Sequence, residues 1–260
     1  MNRTFWLTFF VLLFAFFSME STVFIKKAFL EQNDSFWRIV FWTVFFLFLQ
    51  FFFSMKLSLS KRDYLWASLV SIFSLSVSGL IFFVDSFFLR QVIVGVALFL
   101  LFFSMREYRQ MNRSQELSLK GILFVFHFMT LFSFFAFSLA VHINFTIPQV
   151  LLMFFYGVVI FFVSLHSFLS VYIKEVKRSL QYSLVLSFFF LQIAWFIHFW
   201  PFGYLTTGVV LLVVYYVLWD LFQSHFEKTI GFQRFFTDIF LLVILVGIVL
   251  VSTPWTIVGN

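Results

Sequence analysis

Glu20, His127, His166, Asp220 and Asp238 are ionisable side chains set inside otherwise apolar runs of the sequence. At the centre of a membrane helix such a group costs on the order of 2.5–3.5 kcal/mol by insertion scales, so each needs a partner or a task. His127 falls early in the fifth apolar run, His166 late in the sixth, Asp220 late in the eighth and Asp238 early in the ninth. If the runs alternate in direction, these four share one slab about two turns deep. A carboxylate and two imidazoles at one depth are the groups of a proton or solute pathway, or of acid–base chemistry. Tyr216, Asp220 and Gln223 or Ser224 are three or four residues apart and share one helix face. Such a stripe turns toward protein or water, not toward lipid.

Each of these groups also has a plainer reading. Asp220 can be a structural carboxylate bonded to a tyrosine or histidine, and His127 and His166 can bridge helices. Asp238 lies four residues after Arg234 and can pair with it locally. Glu20, near the end of the first run, can snorkel or pair with Lys27, or it can hold a proton or cation. The serines Ser71, Ser74 and Ser78, with Ser68 at the edge, form a stripe on the third run. Small residues let helices approach closely and hydroxyls bond across the gap; a hydroxyl-lined solute path is the alternative.

A second set of polar groups sits between runs. The stretch "HFWPFGYLTTG", residues 198–208, joins the seventh run to the eighth, as "HINFTIP", residues 142–148, joins the fifth to the sixth. Pro148 and Pro201 suit the first turn of a returning helix. Gly203 eases the turn, and Trp200 and Tyr204 suit the headgroup level. His142 and His198 are readable as interfacial anchors. The sharper reading is a shared outer-face site in which His142, His198, Asn144 and Asp85 meet.

The elements that must place these groups follow from composition. Of the 260 residues, 63% are apolar and 11% charged, whereas a soluble domain carries about 25% charged residues. The apolar residues come in runs of about 18–25, long enough to cross a ~30 Å hydrocarbon layer as helices. Nine spans are expected, at 5–25, 37–55, 64–84, 87–104, 121–142, 148–173, 180–200, 203–223 and 235–253. The expected fold is an all-α polytopic transmembrane bundle, four helical hairpins plus a final helix. It forms a single integral membrane domain over residues 1–260 with no soluble domain. Span starts near 5, 64, 122 and 180 recur at 58 or 59 residues. Either an inherited repeat or the length of two crossings explains that interval.

Orientation follows from the cations in the connections. Odd-numbered spans are entered by Arg3; by Lys56, Lys61 and Arg62; by Arg106, Arg109, Arg113 and Lys120; by Lys174, Lys177 and Arg178; and by Lys228 and Arg234. The opposite side holds Lys26, Lys27, Arg38 and Arg90. The amino end is therefore expected in the cytoplasm and the carboxyl end outside, in a plasma membrane. The first run lacks an A-x-A-like cleavage site and is read as a helix of the mature protein. Its expected partners are membrane lipids, with the basic loops on anionic headgroups. The net charge of +6 requires no nucleic acid. A second membrane protein or a homo-oligomer stays open.

Several chemistries are excluded at this level. Cysteine is absent, which removes disulfides and thiolate ligands. GxxxxGK[ST], GxSxG, HExxH and zinc-type spacings are absent too, so no cofactor and no metal is expected. A small transporter or lipid or solute carrier is the leading expectation, and an enzyme the less favoured one. The alternatives are a structural or assembly subunit of a membrane complex and an in-membrane enzyme acting on a lipid-linked substrate.

Overall fold

The computed structural model describes residues 3–30, 36–56, 63–111, 118–145, 147–172, 175–200, 202–229 and 231–252. Pro201, residues 33–35, Thr146 and Lys174 lie outside these, as do the side chains of Lys27 and Arg234, so the readings placed on them end there. The described residues form nine α-helices and no strand. These are α1 (Arg3–Leu30), α2 (Phe36–Lys56), α3 (Asp63–Phe83), α4 (Phe87–Met111), α5 (Ser118–Phe145), α6 (Gln149–Val171), α7 (Val176–Ile197), α8 (Tyr204–Phe226) and α9 (Phe232–Ser252). Seven hold an apolar stretch of 20 to 25 residues. In α2 and α9 the apolar stretches are shorter, Thr43–Met55 and Phe236–Val249. The chain is a multi-pass integral membrane protein built as a helical bundle.

Helix is the only way such runs satisfy their backbone in hydrocarbon. Their hydroxyls follow the same rule by bonding back to the helix that carries them. Ser18 donates to Ala15 O at 2.8 Å, Thr22 to Met19 O at 2.6 Å and Thr130 to Phe126 O at 2.7 Å. A hydroxyl bonded in this way can sit in a greasy interior without an unmet hydrogen bond.

The helix ends depart from the expected spans, each for a local reason. α5 runs on through His142 to Phe145, since nothing before Pro148 breaks it. Pro148 is the N-cap of α6, not its first residue, and its carbonyl accepts from Leu151 N at 3.0 Å. α7 stops at Ile197 instead of Trp200, because His198, Phe199 and Trp200 wind into a tight turn, with Trp200 N donating to Ile197 O at 3.0 Å. Gly203 caps α8 with φ −64° and ψ 157°, an ordinary extended conformation, so the turn makes no use of glycine's freedom.

Contacts group the chain into two compact units, Met1–Phe137 and Ser138–Asn260, with α5 contributing to both. In the first, α1 packs on α2, α3 and α4, and α3 packs on α2 and α4. Phenylalanines fill the α1–α2 seam: Phe10 and Phe14 meet Phe53 at 5.3 and 5.4 Å, and Phe17 meets Phe46 at 5.4 Å. Such pairs contribute about 0.5–1.5 kcal/mol each beyond their burial. Three polar bridges cross between helices: Ser21–Thr43 at 2.6 Å, Gln50 Nε2 to Ser74 at 2.5 Å, and Gln91 Nε2 to Glu20 at 3.1 Å. The serine stripe of α3 turns inward at Ser74 and Ser78, joined by Ser76.

In the second unit α6 packs on α7, α7 on α8 and α8 on α9. Tyr156 and Tyr215 are fully enclosed, and each phenol meets a serine: Ser138 with Tyr156 at 3.1 Å and Ser164 with Tyr215 at 3.0 Å. At one end of this unit Arg178 lies on the Phe226 ring at 4.2 Å and donates to Phe226 O at 2.8 Å, closing the end of α8. Tyr172 bonds Glu227 beside it, and Tyr182 meets His225 Nδ1 at 2.6 Å.

Gly79 shows how closely the first unit is packed. A Cβ there would stand 2.2 Å from the Phe137 ring, whereas one at Gly95 would meet nothing within 4 Å. Gly79→Ala is therefore expected to destabilise the protein by about 1–3 kcal/mol, the usual cost of overpacking. Gly95→Ala is expected to be neutral or to stabilise by up to about 1 kcal/mol through helix propensity. Reversible unfolding of both variants in mixed micelles measures the contrast, and equal effects would contradict this packing.

Candidate functional site

The last turn of α5 and the first residue beyond α7 bring two histidines together. His142 Nε2 and His198 Nε2 are 2.8 Å apart, with ring centroids at 4.3 Å and planes inclined at 64°. The pair lies in the wall of a cavity of about 540 Å³, completed by Leu139, Ile143, Ile147, Trp200, Phe202 and Thr207. This volume falls within the range of small-molecule sites, roughly 300–1,000 Å³, whose walls are apolar with a few placed polar groups.

The hydrogen-bond network assigns the ring protons. His142 Nδ1 lies 2.7 Å from Ile147 O. A carbonyl only accepts, so that nitrogen carries hydrogen. In the neutral pair His142 Nε2 is then a bare acceptor, and His198 Nε2–H must be the donor in the 2.8 Å bridge. This leaves His198 Nδ1 without hydrogen. That atom is buried and has no hydrogen-bond partner among the described residues. Burial, and secondarily the neighbouring His142, hold the His198 imidazole below its ordinary pKa.

Fixed charge is missing from the stretches of helix nearest this pair. From residue 121 to 173, and again from 179 to 219, the sequence has no Asp, Glu, Lys or Arg. Among the described residues lining the cavity, the two histidines are the only titratable ones.

The structure places the other sequence candidates as follows. Asn144 turns back on its own helix, donating to Ala140 O at 2.7 Å. Asp85 belongs to the first unit, where it is exposed. Glu20, also in that unit, accepts from Gln91. His127 is buried there, with Nδ1 donating to Leu123 O at 2.5 Å. His166 is buried in the second unit, Asp220 is half-buried, and Tyr216 is 39% exposed. The histidine, tyrosine and aspartate of the slab thus divide between two units, each described by itself. Among the described residues no group of three or more His, Asp or Glu side chains is arranged to hold a metal.

Two features escaped the sequence reading. Tyr215, not its neighbour Tyr216, carries the enclosed phenol of α8; adjacent tyrosines on a helix point about 100° apart, and only tertiary packing decides between them. Glu107 is only 7% exposed, and its Oε2 lacks a hydrogen-bond partner among the described residues. It sits in "SMREYRQ", which reads as a connection but continues α4 to Met111. The spacing of Ser104 and Glu107, three residues on one helix face, was the available signal.

The lowered His198 value fixes a sign for acid stability. An unfolded histidine titrates near 6.5, so the unfolded chain binds this proton first. The contribution of the neutral imidazole is complete above about pH 6.5 and is lost as pH falls from there through the depressed folded value. Thermal unfolding of the wild type should therefore move to lower temperature between about pH 7 and 5, and His198→Gln should flatten that slope. An unchanged slope in the variant would contradict the assignment. With this geometry in view, no curated protein and no solved structure matches the chain. Residues 66–252 match the family described as "Protein of unknown function (DUF5656)", and the chain belongs to that family.

Proposed function

We propose that this family member is a small membrane carrier whose ligand occupies the cavity beside His142 and His198. One observation carries the reading: two imidazoles 2.8 Å apart in the wall of a cavity of about 540 Å³ whose other lining side chains are apolar or aromatic save Thr207. Polar groups at the edge of hydrocarbon are costly unless they serve structure or function, and an unmatched ring nitrogen serves structure poorly. The serine–tyrosine bonds inside the same unit supply the packing that lets such a site persist.

Orientation enters the same proposal. The cations near Lys56, Arg106, Arg178 and Lys228 favour the cytoplasmic side for the connections that carry them, and anionic headgroups as their neighbours. This puts the amino end inside and the histidine cavity at the outer face of a plasma membrane. An assembly subunit is the rival reading, and it differs from a carrier in what stays bound to the extracted protein.

Native mass spectrometry of the protein extracted with its own lipids is expected to show a bound small molecule or lipid. Its occupancy should fall at least about tenfold in His198→Ala, a loss of 1.4 kcal/mol or more. An adduct that is another polypeptide, or a ligand equally occupied in both proteins, would remove the carrier reading.

A further inference from the structure

We infer that the His142–His198 cavity takes up an oxyacid with an apolar body as its neutral equivalent, one anion together with one proton. This rests on the carrier reading above and names its ligand class. Three observations combine. The neutral pair has both N–H groups engaged, one with Ile147 O and one in the bridge, so it offers the cavity no free donor. The single uncommitted position is the lone pair of His198 Nδ1. A proton added there makes an imidazolium on a ring that forms part of the cavity wall.

Among the described residues lining the cavity that charge has no counter-ion. α5 from Gly121, all of α6, α7 from Ser179 and α8 as far as Trp219 carry no Asp, Glu, Lys or Arg. The turns that close round the pair bring Ile147, Trp200 and Phe202, and the start of α8 brings Thr207. The Arg178–Glu175 pair at the start of α7 and Glu227 at the end of α8 lie toward the other end of the unit, a helix length away along α7 and α8. An unpaired charge on this half-buried ring is unfavourable, so the protonated pair favours an anion in the cavity. A cationic ligand finds no carboxylate there, and the Leu139, Ile143, Trp200 and Phe202 walls select an apolar body.

The step balances. The O–H bond of the acid breaks, its electron pair stays on oxygen, and the proton forms an N–H bond at His198 Nδ1. A second proton would place two positive rings against each other at 2.8 Å and abolish the bridge, so the stoichiometry is one.

The test uses the full chain in phosphatidylcholine nanodiscs with octanoate as the probe and octanol and octylamine as controls. Octanoate is expected to bind with a Kd that rises about tenfold per pH unit between pH 7 and 9, with one proton taken up per anion. In 15N-histidine spectra, octanoate should move His198 Nδ1 from the bare-nitrogen to the N–H range. His198→Asn should remove the pH slope and weaken binding at least about tenfold. Histidine spectra of the wild type decide the same point if that variant does not fold. Nanodiscs containing phosphatidic acid distinguish the source: competition with octanoate assigns a lipid headgroup, and its absence assigns a free acid. Octanol or octylamine binding as tightly as octanoate, or a slope of zero or two protons, overturns the inference. If octanol binds in the cavity without a slope, the acid class fails and the carrier reading survives. If no probe binds and no native ligand is found, both fail.

Discussion

Hydrocarbon offers no water to a polar atom, and nearly every feature of this protein answers to that fact. The backbone closes its own hydrogen bonds in helices, and a set of serine and threonine hydroxyls folds back onto the carbonyl three or four residues earlier. What remains must find a partner on another helix. Gln50 with Ser74, Gln91 with Glu20, Tyr156 with Ser138 and Tyr215 with Ser164 are such pairs, and each fixes how two helices are rotated and staggered. His142 and His198 obey the same rule but leave one nitrogen over, which is why they stand apart from the structural bridges.

Bulk is the second means of assembly. Lipid tails are as apolar as side chains, so burial alone does not drive these helices together and close fit has to. Phenylalanine supplies large flat surfaces that tile the α1–α2 seam, while Trp66 stacks on Tyr108 at 4.5 Å and meets Phe126 at 5.3 Å. The fit has narrow tolerance where Gly79 faces Phe137. Elsewhere phenylalanines such as Phe41, Phe88 and Phe154 stand exposed on the bundle surface, as residues bathed in lipid do.

The described helices were legible because they are written as apolar runs, seven of them long enough to cross a membrane, with shorter stretches in α2 and α9. Their ends were less so. The Arg-rich "SMREYRQM" looks like a connection, yet cations at a helix terminus suit the dipole and the headgroups, and α4 absorbs them. The meeting of His142 and His198 was foreseen only as one alternative to interfacial anchoring. Spacing along the chain gives no distance between residues 56 positions apart; the packing of the helices decides it. Tyr215 against Tyr216 was undecidable from sequence for a related reason: both are tyrosines, and the choice belongs to the neighbours of α8.

The charge-free stretches from 121 to 173 and from 179 to 219 have an electrical consequence. Moving one elementary charge through a membrane potential of 100 mV involves about 2.3 kcal/mol. Segments with no fixed charge give the voltage nothing to pull on. Helix α6, α7 from Ser179 and α8 as far as Trp219 therefore feel no direct electrical force on fixed charge, and any displacement of them would contribute no gating charge of its own.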